Sequence, residues 1–384
     1  MKIFSIIVVI LLATGGIGQV KEIPPINWKS IADSGSKSLI TNFWNTTHSY
    51  FNENSDSLSW GGHYWPQAHA LDVLVDAYLR SGDDFYRAYF EPWLEGVRRA
   101  NGNRWANNYI DDMEWIGLAA LRAYHASGIE GFLTACKEVW NGTTDDMDDR
   151  NAAFGIKKAW SDAGGGGIFW ESRKNRHSKN ACSNGPAAIL AAHLYQAFGN
   201  KDDLEWAKRI YEWQKEQLFN QDTGAVYDNL NTQSGAKNTK WVFTYNQGTH
   251  LGAALELYKI TGDKIYINDA IKAADYTITT LINANDNLLK SEGKGDGGLF
   301  KGIFIRYFTQ LILSDGISND VRNRYIAFLK RNGEALWLEG TNKEKILFGS
   351  YWKTAPEKNT GHTEHLSGCM LMEALALLQK NNKL

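Results

Sequence analysis

The chain has 384 residues, of which 43% are hydrophobic and 22% charged, and its 41 basic and 43 acidic side chains leave a formal net charge of -2. That balance describes a globular protein with a large core. It excludes the basic field that attracts nucleic acid or an anionic membrane, and six prolines exclude a linker-rich chain. The aromatic content needs explaining: 15 Trp, 17 Tyr and 16 Phe, together 12%.

In chain order, Met1-Lys2, the apolar run Ile3 to Ala13 and the small residues Thr14, Gly15, Gly16 and Gly18 read as a signal peptide over 1–18. The run is shorter than the roughly 20 residues that cross a bilayer. The expected mature chain, 19–384, is exported to the periplasm or the exterior, has no membrane span, and forms one domain.

From there on, two kinds of helical pattern alternate. Stretches at 65–80, 111–127, 182–198, 245–261, 300–313 and 361–379 are rich in Ala, Leu and Gly and nearly free of charge along their middles. A helix apolar on nearly every side is buried on every side. Between them, 29–52, 84–100, 130–140, 202–219, 264–282 and 319–336 carry charge on one face, as an outer layer would. Six such pairs at a spacing of about 50–70 residues predict an all-α fold, a closed (α/α)6 barrel; an open solenoid would end in polar caps. Inner-to-outer connections such as Ser81-Gly82-Asp83 and Thr261-Gly262-Asp263 are tight, with Gly where a helix stops. Connections in the other direction are long, and they hold Trp60, Trp65, Trp105, Trp160, Trp170, Trp241, Trp337 and Trp352. Long aromatic loops at one end of a rigid scaffold mark the binding face.

Asp111 and Asp112 open the second inner stretch on that face, after Asn108-Tyr109 and before Trp115. Retaining glycosidases need two carboxyl groups about 5–5.5 Å apart, one nucleophile and one general acid/base, and neighbours at a helix entrance can meet that distance. Repulsion between them raises one pKa, which suits an acid. Asp83-Asp84 and Asp202-Asp203 have the competing explanation of helix caps. The long-loop face, the buried helix and the flanking Asn, Tyr and Trp set Asp111-Asp112 apart from these pairs. Trp65, Gln67, His69, Asn180, Asn184, Tyr245, Asn246, Gln247 and Lys301 stand at other inner-helix starts, where amides and rings suit the hydroxyls and C–H faces of sugars. Cys136, Cys182 and Cys369 are too few and too scattered for a disulfide framework or a zinc site and read as core residues. Gly293, Gly295, Gly297 and Gly298 look like a phosphate-cradling loop, but no strand precedes them, and by the same test Gly164 to Gly167 is a flexible loop. His362, Glu364 and His365 lack metal-protease spacing, so no metal or other cofactor is expected.

With these motifs in place, the chain resembles glycoside hydrolase family 76, the endo-α-1,6-mannanases. The resemblance covers nearly all of the mature chain. It rests on Tyr64-Trp65-Pro66-Gln67-Ala68-His69, the Asp111-Asp112 pair with Trp115, Lys179-Asn180-Ala181-Cys182-Ser183-Asn184, Gly224-Ala225-Val226-Tyr227-Asp228, Thr244-Tyr245-Asn246-Gln247-Gly248 and Phe300-Lys301-Gly302. It implies an (α/α)6 fold and a retaining mechanism in which Asp111 is the nucleophile and Asp112 the general acid/base. It further implies that Asp228 binds sugar hydroxyls and that the partner is an α-1,6-mannan polysaccharide or oligosaccharide. A transglycosidase and a non-catalytic oligosaccharide-binding protein are the alternatives on the same fold.

Overall fold

A computed structural model describes residues 26–62, 64–173 and 176–384; the expected signal peptide lies outside them. Six inner helices form a ring: α2 (Trp65–Ser81), α5 (Ile110–Ser127), α7 (Gly185–Phe198), α9 (Thr244–Thr261), α11 (Asp296–Leu313) and α13 (His362–Lys380). Outside them lie α1 (Trp28–Phe43), α3 (Asp84–Arg87) with α4 (Phe90–Ala100), α6 (Glu130–Asn141), α8 (Lys201–Gln217), α10 (Lys264–Thr280) and α12 (Asn319–Leu338). Each inner helix packs on the next, and α13 packs back on α2. That last contact closes the ring, making an (α/α)6 barrel.

Composition explains the two layers. Helix α7 has no Asp, Glu, Lys or Arg and buries Ala187, Ala188, Ile189, Leu190, Ala191 and Ala192 in succession. Helix α8 buries the narrower stripe Ala207, Ile210, Tyr211, Trp213 and Gln214 together with Asp203 and Lys215, the latter paired with Asp269 at 2.6 Å, and turns most of its other charges to water.

Several predicted boundaries shift. The outer helix expected over 29–52 ends at Phe43, and Trp44–Asn45 (β1) pairs with Tyr50–Phe51 (β2). The Asn45 side chain makes that turn by accepting from the amides of Thr47 and His48, both at 3.1 Å. The stretch 84–100 is interrupted between Arg87 and Phe90. Helix α11 starts at Asp296, not 300, so Gly297 and Gly298 lie in its first turn. The loop at 164–167 is tied down: Lys179 Nζ donates to Ser161 O and Ala163 O, both at 2.6 Å, and to Gly166 O, while Trp213 Nε1 donates to Gly164 O. On the wide face, Ser178–Asn180 (β3) and Asn229–Asn231 (β4) pair antiparallel, with Ser178 opposite Asn231, joining two long loops.

At the narrow end one stop recurs four times. Gly82, Gly128, Gly199 and Gly262 all adopt φ of about +70° and donate their N–H to the carbonyl of a tyrosine four residues earlier: Tyr78, Tyr124, Tyr195 and Tyr258. The next helix follows almost at once, capped by the side chain of Asp83, Asn200 or Asp263 at three of the four. Ion pairs fill the ring just above these turns. Arg122 of α5 reaches Asp72 and Asp76 of α2, and Arg306 of α11 reaches Asp76 at 2.9 Å; Arg80 of α2 binds Glu373 of α13 at 2.8 Å. The two ends of the barrel meet here too, where the Lys29 amide donates to Gln379 Oε1 at 3.1 Å.

Because left-handed backbone costs a residue with a Cβ about 1–2 kcal/mol, Gly199→Ala and Gly262→Ala should each lower the unfolding free energy by about that amount in urea titrations. They should leave the wide face unaltered. An unchanged midpoint would contradict the reading of these glycines as helix stops.

Candidate active site

A cleft of about 620 Å³ opens on the wide face, over the starts of the inner helices. Its floor is Asp111 and Asp112, in the first turn of α5. Tyr109 precedes that helix in extended conformation and gives no side-chain cap, so the first amides of α5 remain available to Asp111. The Ile110 amide donates to Trp170 O at 2.9 Å, which fixes the Trp170 loop against the helix start. The walls are largely aromatic: Trp65 and Trp115 on one side, Tyr109 against Trp170, and Trp241, Phe243, Tyr245 and Phe300 opposite. Tyr245 stacks on Phe300 with ring centroids 3.9 Å apart and nearly parallel. Ser178, Asn180, Asp228 and Asn229, brought together by the β3–β4 pair, supply polar groups.

The two aspartates differ in surroundings. Burial pushes both carboxyl groups up. Around Asp111 donors pull back: the Cys182 thiol first, then its own amide, Trp170 and the Asp112 amide. None of them reaches Oδ1 within normal hydrogen-bond limits. Asp112 has no such donors and faces the negative charges of Asp111 and Asp296, so it is held well above the usual carboxylate range. Burial likewise pushes Asp228 up to about 6, against a hydrogen bond from Asn246 Nδ2 at 3.3 Å. Glu114, one turn into α5, is fully buried, and burial and then the Asp111 charge push its carboxyl well above the usual carboxylate range.

Of the residues expected at the site, Asp111, Asp112, Trp65, Tyr109, Trp115, Asn180, Asp228 and Tyr245 line the cleft. The others do not. The Gln67 amide pairs with the backbone of Phe51, donating at 2.8 Å and accepting at 2.9 Å. His69 lies beneath Trp65 and Trp115, where burial lowers its pKa to about 3. Asn108 holds Glu171 and Ser172. Asn184 binds both backbone groups of Ile168, and Gln247 binds Val226, Gly224 and Ala273. Asn246 is buried under Asp228. Lys301 is buried against Trp352 and donates to Ser350 O at 2.5 Å. Ten further residues line it: Trp170 and Trp241, expected only as part of the aromatic loops, and Gly62, Tyr64, Ser178, Cys182, Asn229, Phe243, Asp296 and Phe300, not expected as site residues. Cys182, expected in the core, lies in the 3-10 turn Ala181–Ser183 against Asp111. Of the two histidines set aside as metal ligands, His365 stacks on Phe43 and Phe348, and His362 stacks on Phe51.

A ring of helices with a carboxylate pair below an aromatic cleft defines a glycoside hydrolase. The chain belongs to glycosyl hydrolase family 76, whose family model matches residues 27–384. It is similar to the α-1,6-mannanase of Salegentibacter sp. HEL1_6, solved as an inactive variant with two aspartates replaced and in complex with α-1,6-mannotetrose. That likeness has a TM-score of 0.84 and 38% identity, covering 92% of this chain and 100% of that one. The Lin0763 protein of Listeria innocua is 32% identical with a TM-score of 0.80, over 93% of this chain and 99% of that one. A mannan endo-1,6-α-mannosidase of Candida albicans is 28% identical over 64% of this chain; the match spans 53% of that relative's length.

If the Cys182 thiol helps to keep Asp111 ionised, Cys182→Ala should raise the lower apparent pKa of the aspartate pair. Carbon-13 NMR titration of the carboxyl groups would read this, and an unmoved titration would assign Cys182 to packing alone.

Proposed function

We propose that this protein is a retaining endo-α-1,6-mannosidase acting on the α-1,6-linked mannan backbone. The observation that carries the reading is the unlike environment of two adjacent carboxyl groups on the floor of the cleft. Donors near Asp111 draw its carboxyl back to about 6, so it is the one that gives up its proton first. Burial and the negative charges of Asp111 and Asp296 hold the Asp112 carboxyl well above the usual range, so it is the one that holds its proton longer. Two carboxyl groups with separated proton affinities divide the work of nucleophile and acid.

In the first step an Asp111 oxygen attacks the anomeric carbon while the bond to the glycosidic oxygen breaks and that oxygen takes the proton of Asp112. A glycosyl ester on Asp111 results. Water then attacks the same carbon and gives a proton to the Asp112 carboxylate; the ester bond breaks, and the sugar leaves with its original configuration. Trp65, Tyr109, Trp115 and Tyr245 offer rings to sugar C–H faces, and Asn180 and Asp228 offer acceptors to hydroxyl groups. A neutral polysaccharide is consistent with the net charge of -2.

Asp111→Asn and Asp112→Asn should each reduce hydrolysis of debranched α-1,6-mannan by roughly 10²-fold or more while leaving thermal unfolding in place. Activity should rise with pH through about 6, as Asp111 ionises, and fall at higher pH as Asp112 loses its proton. Full activity in either variant, or an inverted first product by NMR, would refute the mechanism. Transfer in place of hydrolysis would appear as products longer than the substrate.

We also read residues 1–18 as an export signal. The N-terminal sequence of protein recovered from the culture medium or periplasm should begin near Gln19; retention of Met1 there would contradict this.

A further inference from the structure

A second cavity of about 780 Å³ opens on the wide face, between the start of α13 and the segment that follows α12. Its volume is in the range of about 300–1,000 Å³ usual for small-ligand sites. Residues 294–296 run between it and the cleft. Lys294 and Gly295 line the second cavity, whereas Asp296 lines the cleft and accepts from Trp65 Nε1 at 3.0 Å. Gly293 and Gly295 have φ of +103° and +60°, and a Cβ at either would meet nothing within 4 Å. The divide between the two cavities therefore has open space beside Gly293 and Gly295, with the Lys294 side chain between them. These are the glycines whose resemblance to a phosphate loop led nowhere.

The cavity has a built polar wall. Glu364, in the first turn of α13, lines it at 3% exposure and accepts from the Thr363 hydroxyl at 3.0 Å. Its position depends on two missing side chains. A Cβ at Gly361 would lie 2.0 Å from Glu364 Oε2, and one at Gly298 would lie 2.8 Å from its Cγ. Tyr351 adds a ring whose hydroxyl is anchored, donating to Asp286 and accepting from Asn283 at 2.9 Å. With Glu53, Glu357 and Glu364 set against Lys294 and Lys358, the lining has no basic excess to select an anion. A buried carboxylate that accepts from adjacent hydroxyls beside a fixed ring suits a neutral sugar.

We propose that this cavity is a second saccharide site, continuous with the cleft over the Gly293–Gly295 divide, which holds the further residues of the same linear chain that is cut at Asp111 and Asp112. This rests on the mannanase reading above. A chain longer than the cleft leaves it past Gly295 and is held again by Glu364 and Tyr351.

The test compares kcat/KM on linear α-1,6-manno-oligosaccharides from the trisaccharide upward. In the wild type the value should continue to rise with length after the cleft is full. Ala355→Trp fills the cavity from its own wall, and Glu364→Gln weakens its acceptor. Each should lower the ratio of long-chain to trisaccharide kcat/KM by roughly tenfold, the effect of one charge-assisted hydrogen bond. Ala355→Trp keeps the test open should Glu364→Gln fail to fold. An unchanged ratio, or a loss confined to side-branched mannan, overturns the proposal. Should the protein cut no α-1,6-mannan, the mannanase reading fails, and calorimetry still addresses this cavity. Debranched mannan should bind Asp112→Asn about tenfold more tightly than Asp112→Asn combined with Ala355→Trp. Equal affinity, or binding by neither, overturns it.

Discussion

Six helices standing around an axis leave a space whose filling sets the radius of the ring. Here the narrow end of that space holds Asp72 and Asp76 of α2 between Arg122 of α5 and Arg306 of α11. Burial pushes the Asp76 carboxyl up, but the two guanidinium groups outweigh it and hold it below its ordinary value. Removing one partner from such a pair costs about 3–5 kcal/mol, because the other is left buried and uncompensated. The same three helices carry Trp65, the aspartate pair and Asp296 at their opposite ends. Arg122 lies eleven residues beyond Asp111, about 16 Å along α5. The network therefore fixes the spacing of the cleft floor from a distance.

Between the network and the cleft, burial works against the charged form of the interior groups. His69 is lowered to about 3 and Glu114 is raised. Trp65 and Trp115 lie over the imidazole. Burial in this floor, together with the negative charges of Asp111 and Asp296, is what raises Asp112. The packing that closes the barrel and the proton affinity of the proposed acid thus have one cause.

The barrel was legible because its signal is redundant: stretches rich in Ala, Leu and Gly alternate six times with stretches that carry a charged face. The site was legible by helix ends but not by helix faces. Successive residues turn by about 100°, so Trp65 faces the cleft while Gln67 points elsewhere, and Tyr245 faces it while Asn246 and Gln247 do not; His69 shares the face of Trp65 but lies one turn deeper, beneath its ring. Cys182 was hidden by chemistry, since a thiol in an apolar stretch has the composition of a core residue. Asp296 was hidden by a boundary, because glycines in the first turn of α11 obscured the true helix start. Trp170, Ser178 and Asn229 arrive on long loops whose paths depend on the β3–β4 pairing, a contact between residues about fifty positions apart that no local pattern encodes.

The meeting of Lys29 with Gln379 at the narrow end has a geometric consequence. A chain that enters and leaves a toroid on the same side is topologically close to a circle. A short peptide could join these ends, and a new break in any wide-face loop away from the cleft would give a permuted barrel with the same ring. It also sets orientation: the start of α1 and the end of α13 lie opposite the cleft, so coupling that face of the barrel to a solid support would turn its open mouth outward toward a polymer too large to diffuse.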